Sequence, residues 1–264
     1  TPKPHEYELT TVEKGRSRGE PTDLATALKD AGYVDSLGHH TEESADETVI
    51  KVTKVIDADG VVRWRVALPS TQEWLSRFNG DQGAVNDLDS NLALMLTPSL
   101  RSQYERAVLQ AMEQAGVGHD DPVMLVGFSQ GGIMAGHLAA YNSDYNWSAV
   151  VVAGAPIDSM PIPASTKVVS VQHAGDPVPQ LDSYMSLGVL GHPWHGPNWT
   201  TIQETSPLAA QGVGGIHNAA AYNSTLSSHV DLVPPATQDD LSEYFIGDQS
   251  AYGYQNTYYS WNED

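Results

Sequence analysis

"VMLVGFSQGGIMAGHLAAY", residues 123–141, runs from apolar to glycine-rich and back to apolar around Ser129. Its first part is a continuous apolar run of the kind found in strands buried on both faces. Its last part brings Met134, Leu138 and Tyr141 round to one side at helical spacing. Gly127-Phe128-Ser129-Gln130-Gly131 makes the bend between them. A buried strand, a sharp turn and a helix whose N-terminus faces that turn would present a serine hydroxyl at the carboxyl edge of a parallel sheet. A serine held this way adopts strained backbone angles and tolerates only small residues two before and two after it.

The bare spacing is not the signal. Gly15-Arg16-Ser17-Arg18-Gly19 has it too, with charged flanks and neither strand nor helix beside it. Ser17 therefore reads as a loop serine and Ser129 as a candidate nucleophile. A phosphate cradle is a poor fit to the Ser129 turn. No lysine lies in or near it, and the pattern is neither G-x-x-x-x-G-K-[ST] nor G-x-G-x-x-G.

Outward from this stretch, strand and helix patterns alternate. "PTDLATALKDAGY" (21–33) predicts a short helix with Thr22 as N-cap and Gly32 as its stop. "TVIKVTKVIDADGVVRWRVAL" (48–68) alternates on both sides of Asp59-Gly60, as a hairpin does. "SLRSQYERAVLQAMEQAG" (99–116) puts Tyr104, Ala107, Val108, Ala111, Met112 and Ala115 on one helical face, ended by Gly116. "WSAVVVAGAP" (147–156) and "TKVVSVQH" (166–173) are further buried strands, and "NWTTIQETS" (198–206) is a weaker one. The expected fold is α/β, a mostly parallel sheet with helices on both faces. Residues 1–47 read as an arm with a short helix, 48–230 as the core, and 231–264 as an acidic, Tyr-rich extension packed on it. At 264 residues one domain suffices.

A serine nucleophile needs a base, and the base an acid. In such a sheet the chain order is Ser, then Asp or Glu, then His. Asp176, in "AGDPVP" just past a buried strand, is the first choice for the acid; Asp182 and then Asp158 are the alternatives. A carboxylate there also suits a plain Asx-turn. The base belongs between the last strand and a covering helix. With "PLAAQGVGG" as a flexible loop and "NAAAYNSTLSS" as the helix, His217 fits, and His229 is the alternative. His39, His40, His119 and His173 read as solvent or loop histidines, and His137 as lining the helix behind Ser129. The oxyanion donors expected are the N–H of Gln130 and one from "LPSTQEW", where Ser70, Thr71 and Gln72 are candidates and Thr71 adds a hydroxyl.

Composition narrows the partners. The formal net charge is −20, from 13 basic and 33 acidic residues. That opposes nucleic acid and anionic lipid and favours a neutral substrate. There are no cysteines, hence no disulfide and no thiolate site. No run approaches the roughly 18 apolar residues of a membrane span. "GHHTEE" (38–43) has metal-ligand residue types, but adjacent histidines in a polar loop read as solvated. No metal or cofactor is expected. The opening "TPKPHEYELT" points to no compartment, and oligomeric state is not encoded in any visible pattern.

The text "LPSTQEW", "GFSQGG", "AGAP", "GDPVP" and "IHNAAAY" resembles the α/β-hydrolase superfamily, most of all its cutinase-like and class 3 lipase-like bacterial branches. The resemblance spans about residues 48–230, with "GFSQGG" and "GDPVP" its specific pair and "PST" standing where "PGT" or "RGT" is usual. It implies Ser129, Asp176 and His217 as a triad and a serine esterase or lipase acting through an acyl-enzyme. An acyltransferase with the same triad, or a non-catalytic protein of this fold, is the alternative.

Overall fold

The structure is a computed structural model that describes residues 9–14, 21–37, 47–70, 98–181, 195–245 and 254–262. Its central strand is β4 (Pro122–Phe128). Val123 and Leu125 enter one core while Met124, Val126 and Phe128 enter the other, the period-two alternation of a pleated strand. β3 (Val62–Leu68) and β5 (Asn146–Ala153) flank it in parallel, and β6 (Lys167–His173) and β7 (Trp199–Glu204) extend the parallel run. All five carry their carboxyl ends to one edge of the sheet.

β2 (Glu47–Ile56) pairs antiparallel with β3 across the expected hairpin. The Asp57 carboxylate closes the turn by accepting the N–H groups of Asp59 and Val61, each at 2.9 Å. Gly60 supplies the positive φ, 78°. Two strands then lie outside the region read as core. β8 (Tyr254–Asn262) pairs antiparallel with β2, and β1 (Leu9–Lys14) pairs antiparallel with β8. The order is β1-β8-β2-β3-β4-β5-β6-β7. Segments read as an arm and an extension thus each supply a strand of the sheet.

Helices cover both faces. On one, α2 (Pro98–Ala115) and α3 (Gln130–Tyr141) pack with Val66, Leu68, Val150 and Val152. Of the expected α2 stripe, Tyr104, Ala107, Val108, Ala111 and Met112 are buried, and Ala115 at the helix end is half-buried. Each large member contributes about 1.5–3 kcal/mol of burial. On the other face, α1 (Leu24–Leu37), α5 (Ala219–His229) and α6 (Pro235–Ser242) pack with Ala67, Val151, Ala153 and Val171.

Three local expectations are corrected. α1 is capped by Asp23, not Thr22: Asp23 Oδ1 accepts the Thr26 N–H at 2.8 Å, and the Thr26 hydroxyl accepts the Asp23 N–H at 3.0 Å. Gly32 does not stop α1, which runs on to Leu37 with Gly32 set against Ala219 of α5. The loop 207–215 is not featureless either. It holds a 3₁₀ turn, Ala209–Gln211, and starts the short helix α4 (Val213–Ile216). The Ser206 hydroxyl fastens that region by donating to the Gly215 carbonyl at 2.7 Å and accepting the Leu208 N–H at 3.1 Å.

Candidate active site

Ser129 lies between β4 and α3 with φ 57° and ψ −117°. Among the described residues it is the one non-glycine with positive φ, a conformation that costs about 1–3 kcal/mol. Its N–H donates to the Ala153 carbonyl at 2.9 Å, and its carbonyl accepts the Ile133 N–H at 3.0 Å. The flanking glycines are required by close approach. A Cβ on Gly127 would lie 2.3 Å from the Gly131 carbonyl carbon, and one on Gly131 would lie 2.1 Å from the Leu68 carbonyl oxygen. These are backbone atoms, so the bend has no slack to yield.

Asp176 stands three residues past β6, after Gly175 at φ 80°. Each carboxylate oxygen has its own task. Oδ1 accepts the Val178 N–H at 3.0 Å, the Asx-turn. Oδ2 accepts from His217 Nδ1 at 2.7 Å. The Asx-turn and the histidine contact thus use different oxygens of one carboxylate. With Nδ1 protonated toward Asp176, His217 Nε2 is left to accept the Ser129 hydroxyl, 3.0 Å away. The Phe128 ring packs 4.9 Å from the imidazole. His217 follows α4 directly, and Asn218 caps α5 through the Ala221 N–H at 3.0 Å.

The hydroxyl is not displayed on an open surface. Ser129 and Asp176 are 0 % exposed and His217 is 7 %. A site this dry strengthens every electrostatic interaction inside it.

Two residues around this chain had no role in the sequence reading. The Tyr222 hydroxyl donates to Asp176 Oδ2 at 2.5 Å and accepts the His173 backbone N–H at 3.0 Å. Burial first, and then the Asp176 charge, push the phenol well above the ordinary tyrosine range. His173 is not a solvent histidine. It is buried at the end of β6, stacked on Tyr222 at 3.7 Å. Its Nδ1 donates to the Ile216 carbonyl at 2.8 Å, and its Nε2 meets the Thr225 hydroxyl at 2.7 Å. Burial holds this imidazole below the usual histidine range. The signal for Tyr222 was its place one turn into the helix that follows His217. His173 was obscured because a histidine ending an apolar strand looks like the start of a loop.

Of the two expected oxyanion donors, Gln130 is the first residue of α3. Ser70 is brought to the same bend: its hydroxyl donates to the Phe128 carbonyl at 2.8 Å, while the Tyr104 hydroxyl donates to Pro69 at 2.5 Å. Thr71 and Gln72 lie outside the described residues, as does Asp182. Asp158 is occupied elsewhere, accepting from Gln172 Nε2 at 3.0 and 3.1 Å. His229 ends α5, roughly 16 Å along the helix from its start. There it donates to the Thr225 carbonyl at 2.9 Å and faces Glu204 at 3.4 Å. His137 lies on α3, 3.5 Å from Glu105. Among the described residues no group of three or more His, Asp or Glu is arranged to hold a metal ion, and no helix is long and apolar enough to cross a membrane. Comparison of the chain with protein-family models, curated proteins and solved structures returns no match.

Proposed function

We propose that this chain is a serine hydrolase of carboxylic esters built on an α/β-hydrolase fold. The observation that carries the reading is the Asp176–His217–Ser129 run, at 2.7 and 3.0 Å, ending on a strained serine at a helix N-terminus. Strain of that kind persists only where the surroundings over-determine it, and it clusters at working sites.

In this reading Ser129 Oγ attacks the ester carbonyl carbon as His217 Nε2 takes its proton. Asp176 holds the imidazole in the tautomer that accepts, and it stabilises the imidazolium that forms. The Gln130 N–H and a donor from residues 70–72 stabilise the oxyanion, each contributing about 3 kcal/mol. His217 returns the proton to the departing alkoxide, leaving an acyl-serine. Water, deprotonated by the same imidazole, then releases the carboxylic acid. The acidic surface supports a neutral ester as substrate, since a net charge of −20 repels anions.

A small fluorophosphonate tests this directly, because Ser129 Oγ would displace fluoride and become phosphonylated. The expected result is one label per wild-type chain, located at Ser129 by peptide mapping. Ser129→Ala and His217→Ala should not label, while His229→Ala should label as the wild type does. An unlabelled wild type, or a label retained by Ser129→Ala, overturns the reading.

A further inference from the structure

Tyr222 and His217 meet at one atom. Asp176 Oδ2 accepts from His217 Nδ1 at 2.7 Å and from the Tyr222 hydroxyl at 2.5 Å. Asp176 is fully buried, and among the described residues it pairs with His217 and with no lysine or arginine. Its charge is therefore carried by three hydrogen bonds, the third being the Val178 N–H on Oδ1. Donors to a buried carboxylate disperse its charge.

We propose that Tyr222 is a positioning residue of this site: its hydroxyl competes with His217 for one oxygen of Asp176, and so limits how tightly the carboxylate holds the imidazolium. The inference rests on the hydrolase reading above and extends it to regulation of the base. Among the described residues, the groups facing Asp176 and His217 include Tyr222 from α5, His173 from the end of β6, and Ser129 from the bend. His173 addresses this cluster through its backbone N–H, which fixes the phenol oxygen, and through the Ile216 carbonyl just before His217. The phenol cannot turn away without orphaning that N–H. It also keeps its proton across the working range, held there by burial and by the neighbouring carboxylate, so it donates throughout.

The sign follows from charge dispersal. Without the phenol, the negative charge concentrates on the oxygen facing His217, and the imidazolium persists to higher pH. A more acidic phenol withdraws more charge and does the opposite. The experiment is the pH profile of fluorophosphonate labelling rate for the wild type, Tyr222→Phe, and the chain carrying 3-fluorotyrosine at position 222. Tyr222→Phe is expected to move the acidic limb upward by about one pH unit, the loss of one hydrogen bond to a charged group. The fluorotyrosine chain, which removes no bond, is expected to move the limb downward. If the limb stays at the wild-type position in the fluorotyrosine chain and in folded Tyr222→Phe, Tyr222 is a packing residue and the proposal fails, whatever happens to the melting temperature. Failure of the hydrolase reading looks different: the wild type does not label at any pH.

Discussion

The two sides of the site are built by opposite means. The serine side is local. Residues 122–141 supply the strand, the bend, the serine and the helix, and what fixes the bend is repulsion: backbone atoms 2.1 to 2.3 Å from where side chains would begin. The aspartate–histidine side is assembled from two separate segments, 173–178 and 216–225, joined by hydrogen bonds through Tyr222, His173 and Asp176. Steric exclusion holds one residue in an angle it would not choose. Hydrogen bonding holds several residues in angles they accept readily but would not otherwise share.

Breaking the steric side should cost most. Gly131→Val drives its side chain into the Leu68 carbonyl, so β3 and α3 cannot both keep their places. A loss of at least about 4 kcal/mol is expected, seen as a collapse of the urea unfolding midpoint or as insoluble protein. A folded variant with near wild-type stability would contradict the close approach. Breaking the hydrogen-bonded side should leave the fold and remove the labelling expected of the proposed hydrolase. Asp176→Asn keeps shape and volume but offers an amide N–H to an imidazole that needs an acceptor. Labelling of Ser129 should slow by about a thousandfold or more, while thermal melting shifts by only a few degrees. Comparable labelling in this variant would show that the carboxylate does not orient the base.

The smallest effect is a pH dependence that the steric side lacks. Burial depresses the His173 imidazole in the folded state, so the unfolded chain takes up the proton first. Stability from this residue is full above about pH 6.5 and drains away as the pH falls from there toward the lowered folded-state value. His173→Gln should narrow the difference between unfolding midpoints measured at about pH 7.5 and about pH 5.5, relative to the wild type. An unchanged difference would show that the proton goes elsewhere.

The same contrast explains what was legible in the residues. The Ser129 bend could be read because its requirements are contiguous: an apolar run before it, glycines at fixed offsets, a helical stripe after it. Asp176 and His217 could be placed by chain order and by the strand each follows. Tyr222 could not, since its partner is 46 residues away and nothing in "NAAAY" marks a tyrosine that will face a carboxylate. His173 was misplaced for a related reason. Its burial depends on α5 lying over the end of β6, which no window around residue 173 contains. β8 was missed because "YQNTYYSWN" alternates weakly, and its acceptance into the sheet is decided by β1 and β2 on either side of it.

That outer arrangement has a consequence for how the chain reaches its final form. β1 leaves the ribosome before every other described segment, yet in the finished sheet its neighbour is β8, made after everything else described. Until then β1 has no partner and the far edge of β2 is bare, open to wrong pairings between chains. The parallel part of the sheet can close during synthesis, but the sheet is sealed only by a late insertion between two strands already waiting, a step of high contact order and slow rate.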